Sequence, residues 1–160
     1  MAELTPLDEK LGEVLGLAQA AQGATKSVAK LSDDEDRIAR LDAMRADAEE
    51  TERRTLALID GFEGKKTKIQ ELGRETKGEA SEMMKTYVGS DGDELDGFEF
   101  LTMAEAGELG HWEIVREMSS KLGESKTLEL AEWSIPIQKG HTEVVRGCSL
   151  ELAAEEAAEG

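Results

Sequence analysis

The chain has 160 residues, which is enough for one compact domain to bury a core without disulfides or a structural zinc ion. Its 36 Asp and Glu residues outnumber its 19 Lys and Arg residues, and the resulting formal charge of −17 repels phosphate backbones and anionic lipid headgroups. We therefore expect a single domain over residues 1–160, with neither nucleic acid nor a membrane as a partner.

The composition favours an all-α fold. Aromatic residues make up 4% of the chain and there are only two prolines, whereas Ala, Leu, Glu and Lys are abundant. The single Cys148 cannot form an internal disulfide, and no apolar run approaches the roughly 20 residues of a membrane span. The first residues also lack the pattern of a signal peptide. These features together predict a cytoplasmic protein.

The first two helices are predicted at residues 5–31 and 33–61. Thr5 is a typical N-cap residue, and it is followed by Pro6 at the first helical position and by Asp8 three residues after the cap. Ser32 and Glu35 have the capping-box spacing for the second helix. Apolar residues recur at three- and four-residue steps along both segments, so each helix is expected to bury one stripe.

The rest of the chain predicts a connection and two further long helices. Residues 66–87 hold few apolar groups and two glycines, which suits a short surface helix on a crossover. Long helices are predicted at 94–122, ended by Gly123, and at 125–154, with Pro136 inside. This order predicts an antiparallel four-helix bundle with one long crossover that carries a short extra helix.

Polar and ionisable side chains interrupt the core-facing stripes of the last two helices. Glu105, Glu108 and His111 lie on the apolar paths of the 94–122 helix, and Gln138 and His141 lie on those of the 125–154 helix. Side chains three residues apart share a helix face, and equal distances from the intervening turn place Glu108 opposite Gln138. Because an isolated buried carboxylate costs several kcal/mol, this pattern predicts protonation, cationic partners or a bound metal.

Three segments resemble the small bacterial ferritin-like bundles linked to stress response, within the wider ferritin-like superfamily. They are AEETERRTLALIDGF in the second helix, the lysine-rich GKK of the crossover, and GHWEIVREMSSKLG in the third long helix. The resemblance spans roughly residues 4–153 and implies two helical hairpins joined by a crossover, dimers, and a two-metal carboxylate site between the helices. It places Glu50, His111 and Glu113 at that site. Arg54 stands where such bundles usually have His or Gln, and Gln138 stands where they usually have Glu.

The sequence therefore predicts a site for a divalent metal ion such as iron, manganese or zinc. Carboxylate and imidazole ligands suit these ions, and such a site would support ferroxidase-type or peroxide chemistry. A full di-iron site takes Glu from each of two helices and Glu-x-x-His from each of the other two, a spacing that only Glu108 and His111 have here. The predicted metal ligands are Glu108, His111, His141, Glu50, Glu105, Glu113, Gln138 and Asp8.

The same residues also have purely structural interpretations. Glu50 can pair with Arg54 one turn later, Asp8 can cap the first helix, and Glu108 can form a buried hydrogen bond with His111. The alternative hypothesis is therefore a metal-free ferritin-like bundle that acts as a structural or protein-interaction module. A haem bound between the two histidines is a third hypothesis, and the sequence does not indicate the aromatic-lined pocket that it requires.

Overall fold

The computed structural model describes residues 2–160, which form five α-helices and no strand. The helices are α1 (Pro6–Ala29), α2 (Glu35–Ile59), α3 (Lys66–Val88), α4 (Glu94–Leu122) and α5 (Ser125–Glu159). The predicted all-α fold is confirmed, and the predicted boundaries agree within two residues except at the end of α5. That helix continues beyond residue 154 because the tail is rich in Ala and Glu, which are strong helix formers. None of these helices is both long enough and apolar enough to span a bilayer.

Side-chain caps determine where the first two helices begin. The hydroxyl of Thr5 accepts the N–H of Asp8 at 3.1 Å, and the carboxylate of Asp8 accepts the N–H of Thr5 at 2.8 Å, which confirms the predicted capping box. For α2, Asp34 is the N-cap and accepts the N–H of Arg37 at 2.9 Å. The prediction of Ser32 as this cap was wrong, because the carboxylate two residues later interacts more strongly with the positive end of the helix dipole.

Helices α1, α2, α5 and α4 form a closed ring, in which α1 and α5 each pack against both α2 and α4. Arg37 at the start of α2 donates to Glu94 at the start of α4 at 2.8 Å, and it lies 3.5 Å from Glu151 near the end of α5. Val28 near the end of α1 packs against Gly97 near the start of α4. Neighbouring helices of the ring therefore run in opposite directions, and the chain is a four-helix bundle with α3 on the connection.

Two apolar clusters fill the bundle, one towards each end. The first includes Trp112 and the second includes Phe98, and both take side chains from α1, α2, α4 and α5. Burial of these side chains is the main favourable contribution to folding. The buried residues that separate the clusters along α4 and α5 are polar, so the bundle contains a polar layer at mid-height.

Helix α3 packs on the outside of α1 through glycines. A Cβ at Gly12 would lie 3.1 Å from the carbonyl oxygen of Ile69, and a Cβ at Gly16 would overlap the carbonyl oxygen of Gly73 and lie 2.8 Å from Cβ of Thr76. The two backbones come this close because no side chains stand between them. The predicted bounds of the extra helix, 66–87, agree with α3 within one residue, and as predicted α3 is a surface helix, with only Ile69 and Gly73 buried.

The variant Gly16→Ala is expected to destabilise the fold, whereas Gly23→Ala in the same helix is not. The new methyl group at position 16 meets the backbone of α3, and overpacking of this kind costs about 1–3 kcal/mol. A Cβ at Gly23 meets nothing within 4 Å, so replacing this helical glycine stabilises by about 0.5–1 kcal/mol. Urea unfolding of the native chain and both variants measures the difference. Equal free energies of unfolding for the two variants would contradict the close contact between α1 and α3.

Candidate functional site

The polar layer between the two apolar clusters is the candidate functional site. Helix α4 contributes Glu105 and Glu108, which are 2% and 3% exposed, and α5 contributes Gln138 and His141, which are 3% and 6% exposed. Each pair is three residues apart, so both members of a pair lie on the face that their helix turns to the core. The structure thus brings together four of the eight predicted site residues in one buried layer.

His141 lies between two carboxylates. Its Nδ1 is 3.1 Å from Oε1 of Glu105, and its Nε2 is 2.8 Å from Oδ2 of Asp47 on α2. Burial lowers the pKa of His141, but the hydrogen bonds and negative charges of Glu105 and Asp47 outweigh burial and raise that pKa above its usual value of 6.5. We conclude that His141 is an imidazolium that donates a hydrogen bond from each ring nitrogen, and that its charge neutralises Glu105.

Glu108 has no comparable cation. Complete burial raises the pKa of Glu108 well above its usual value of 4.5, and the charge of Glu105 raises it further. The nearby indole of Trp112 favours the ionised form and opposes these two effects only in part. Burial therefore favours the neutral form of Glu108 in the folded chain, and no cation among residues 2–160 opposes this effect.

The layer also holds polar atoms that lack partners. Within residues 2–160, the buried atoms without a hydrogen bond of normal geometry are Nε1 of Trp112, Oγ of Ser134 and Nε2 of Gln138. Trp112 follows Glu108 by one helical turn and Ser134 precedes Gln138 by one turn, so all three atoms belong to the layer or its border. Such atoms usually carry an explanation, such as a bound water, an ion or a ligand.

Two predicted ligands, Asp8 and Glu50, lie outside the polar layer, where each forms ion pairs with nearby basic residues. Asp8 caps α1 and accepts a hydrogen bond from the ammonium group of Lys65 at 2.8 Å. Glu50 pairs with Arg53, whose Nε lies 2.9 Å away, and with Arg54 at 3.4 Å. Nearby positive charges account for the lowered pKa of Glu50, with the hydrogen bond from Arg53 as the largest cause.

The other two predicted ligands lie at the surface of α4. His111 has a side chain that is 36% exposed; its Nδ1 lies 2.8 Å from the carbonyl oxygen of Gly107, and its Nε2 lies 3.5 Å from Glu13. The side chain of Glu113 is 44% exposed and lies 3.9 Å from Arg116. Glu108 and His111 were predicted to point at one site, but the structure separates them. Glu108 faces the core, whereas His111 faces Glu13 of α1 at the surface.

One residue of the layer, Asp47, was not among the predicted ligands. It lies three residues after Met44 and four before Thr51, and both of these residues are buried. It therefore borders the buried stripe of α2, which is the only signal for it in the sequence, and that stripe alone does not separate Asp47 from Glu50 three residues later. Its side chain is 48% exposed, so water solvates the carboxylate on the side away from His141.

The geometry of His141 fits a metal site poorly. The two ring nitrogens point in opposite directions, so Glu105 and Asp47 lie on opposite sides of the ring and cannot share one ion with it. A metal-bound histidine also needs one unprotonated nitrogen, and here both nitrogens donate to carboxylates. Among residues 2–160, no three side chains of His, Cys, Asp or Glu are arranged so that they could hold a metal ion.

Comparisons of this chain with family models, with curated proteins and with solved structures found no match. The ferritin-like resemblance therefore stays a prediction that rests on the three sequence segments.

The two histidines of the chain are expected to differ sharply in their contribution to stability. His141→Ala leaves the carboxylate of Glu105 buried without a cation, and breaking a buried ion pair costs about 3–5 kcal/mol. His111→Ala, the matched control at the surface, is expected to change stability by no more than about 0.5 kcal/mol. Urea unfolding at neutral pH provides both values. A His141→Ala variant as stable as His111→Ala would show that the buried pair does not form.

The polar layer is expected to make the bundle less stable as pH rises. Glu108 and His141 both have a higher pKa in the folded chain, so the folded state holds more protons than the unfolded state and loses that advantage with rising pH. The loss begins near 4.5 for Glu108 and near 6.5 for His141, their usual pKa values. Glu108→Gln cannot ionise, so its free energy of unfolding should fall less between about pH 5 and about pH 8 than that of the native chain.

The control for this measurement is Glu113→Gln, which makes the same substitution at the surface of the same helix. It is expected to keep the native slope of stability against pH. If Glu108→Gln also keeps the native slope, Glu108 ionises in the folded chain as an ordinary carboxyl group does.

Proposed function

We propose that this chain is a ferritin-like helical bundle that works without a metal centre, as a structural or protein-interaction module. The sequence resemblance implies two helical hairpins joined by a crossover. The ring of α1, α2, α5 and α4, with α3 on the connection, supports that arrangement. The partner of such a module, which the resemblance expects to be a second copy of the chain, stays a prediction.

The observation that carries this proposal is the position of His141. In a carboxylate metal site, a cation neutralises the buried acids. Here the imidazolium of His141 does so for Glu105, at 3.1 Å, and burial favours the uncharged form of Glu108. The buried acids of the layer are thus compensated by groups of the chain itself, while the second carboxylate on His141, that of Asp47, is half exposed to water.

Two further positions support a bundle that has lost its ligands. Arg54, in the place where the resemblance expects His or Gln, lies 3.4 Å from Glu50 and stacks on the ring of Trp133 at 4.1 Å. Gln138, in the place where it expects Glu, is buried, and its Nε2 has no partner among residues 2–160. A guanidinium group repels metal ions, and an amide binds them less strongly than a carboxylate does.

A divalent metal site is the competing proposal. Its support is that Glu105 and Glu108 are buried on one face of α4, one turn apart, with His141 opposite them on α5. Iron, manganese or zinc would have to displace the protons of Glu108 and His141 in order to bind there. The two proposals therefore differ in a quantity that can be measured directly.

The purified chain is expected to contain no stoichiometric iron, manganese or zinc, and its melting temperature should not rise when Fe(II), Mn(II) or Zn(II) is added. A metal stabilises a protein only if it binds the folded state more tightly than the unfolded state. Elemental analysis and thermal unfolding, with Fe(II) under anaerobic conditions, provide the measurements. The chain is strongly acidic, so cations also bind weakly to its surface.

Two double variants separate a specific site from this surface binding. Glu105→Gln with Glu108→Gln removes both buried carboxylates, and Glu50→Gln with Glu113→Gln removes the same number outside the layer. Bound metal that the first variant loses and the second keeps would refute the metal-free proposal and establish the site in the layer. Metal that both variants lose equally is surface binding and leaves the metal-free proposal standing.

A further inference from the structure

A cavity of about 440 Å³ lies between α1, α3 and α4. Its walls come from the second half of α1, the second half of α3 and the first half of α4, and it is open to solvent on one side. A volume of this size, with mostly apolar walls and a few polar groups, is typical of a site for a small organic molecule.

The cavity lies beyond the glycine contact between α1 and α3. The glycines at positions 12, 16 and 73 bring the two backbones together near the start of α3. Several residues of the cavity lining are alanines, namely Ala20, Ala24, Ala80 and Ala104, and their short side chains leave space between the helices. The remaining walls are mostly apolar, with Met84, Val88 and Phe100 among them, and the polar side chains outside α4 include Gln19, Ser27 and Ser81.

Two buried acids line this mostly apolar space. Glu105 and Glu108 both reach the cavity from α4, and both are at least nine-tenths buried. Glu105 is already paired with His141, whereas Glu108 forms no salt bridge within residues 2–160. A carboxyl group without a cation, in an apolar cavity that solvent can enter, is unfavourable unless something binds to it or it keeps its proton.

We propose that the cavity binds a small molecule with an alkyl body and a primary ammonium group, with the ammonium on Glu108 and the alkyl body against Met84, Val88 and Phe100. When the ammonium binds, the carboxyl group of Glu108 releases its proton to solvent, and the resulting carboxylate accepts charge-assisted hydrogen bonds from the ammonium; these bonds are strongest where water is excluded. The net charge of −17 attracts cations to the chain and repels anions. The inference rests on the proposed function in one respect, since Glu108 must be free of metal.

The opposite orientation would suit a fatty acid, with its carboxylate on Lys77 or Lys85 at the mouth of the cavity. Both lysines are exposed, and Lys85 already lies 3.3 Å from Glu82. An exposed ion pair is worth little, because water and salt screen it. The buried carboxyl therefore favours the ammonium over the carboxylate.

The test is isothermal titration calorimetry of the full chain, freed of metal with EDTA, using octylammonium, octanol and octanoate as probes of equal chain length. Octylammonium is expected to bind at least about tenfold more tightly than octanoate, because one charge-assisted hydrogen bond in a buried site is worth about that factor. Octanoate binding as tightly as octylammonium would overturn the proposal, and so would the absence of octylammonium binding.

Three variants locate the site. Glu108→Gln should weaken octylammonium binding at least about tenfold while leaving octanol binding unchanged, because only the charged contact is lost. Glu113→Gln makes the same charge change at the surface of α4 and should have no effect. Ala24→Leu fills the cavity and should abolish binding of octylammonium and octanol alike.

If Ala24→Leu does not fold, Ala80→Leu fills the same cavity from α3, a helix that contributes little to the core. Native binding by Glu108→Gln or by a folded cavity-filled variant would overturn the proposal. If octylammonium does not bind the EDTA-treated chain, the cavity proposal fails and the proposed metal-free function stands. If the chain holds metal in the polar layer before EDTA treatment, the metal-free function fails and the cavity proposal stands.

Discussion

The arrangement of the bundle depends on the imidazolium of His141 between Glu105 and Asp47. This contact joins α5 to α4 and to α2 at mid-height, over 3.1 and 2.8 Å. A carboxylate as deeply buried as that of Glu105 is costly on its own, so the helices are favoured only in the alignment that brings the cation to it. Apolar side chains tolerate rearrangement more easily than a buried ion pair does. We interpret the contact as the element that specifies the register of these three helices, while the apolar clusters on either side provide most of the stability.

The rotation of α4 about its axis could be predicted only in part. Two neighbouring apolar paths run through Glu108 in the sequence of α4: one passes through His111, and the other passes through Glu105 and Trp112. The structure has the second path, and Trp112 is fully buried. Burying an indole removes far more apolar surface from water than burying an imidazole, so Trp112 decides the rotation. His111 precedes Trp112 by one residue and therefore lies about 100° away round the helix, which turns it towards Glu13 at the surface.

Helix boundaries were well predicted because caps and terminal glycines act over a few residues, and such local chemistry can be read directly from the sequence. The inward face of α2 could not be predicted in this way. Asp47 and Glu50 are three residues apart, and the buried stripe of α2 is too narrow to show which of them turns inward. Two contacts with α5 determine which of the two acids turns inward. His141 forms a hydrogen bond with Asp47. Trp133 stacks on Arg54, and Arg54 forms an ion pair with Glu50. This information lies in a different helix, roughly ninety residues away in the chain.

Buried ionisable groups are weak evidence for stability, because apolar residues of similar volume often replace them without loss. Glu105 has a structural reason to be ionisable, since it aligns α4 with α5 through His141. Glu108 has no such reason, because no cation within residues 2–160 pairs with it. Helix α3 also lacks an evident structural reason, because it buries only Ile69 and Gly73 and so adds little to the core. Glu108 and α3 belong to the same cavity. Helix α3 forms one wall of the cavity that Glu108 lines, and the glycine contact with α1 fixes the position of that wall. A ligand in this cavity would account for the acid and for the extra helix together, which the packing of the four-helix ring does not.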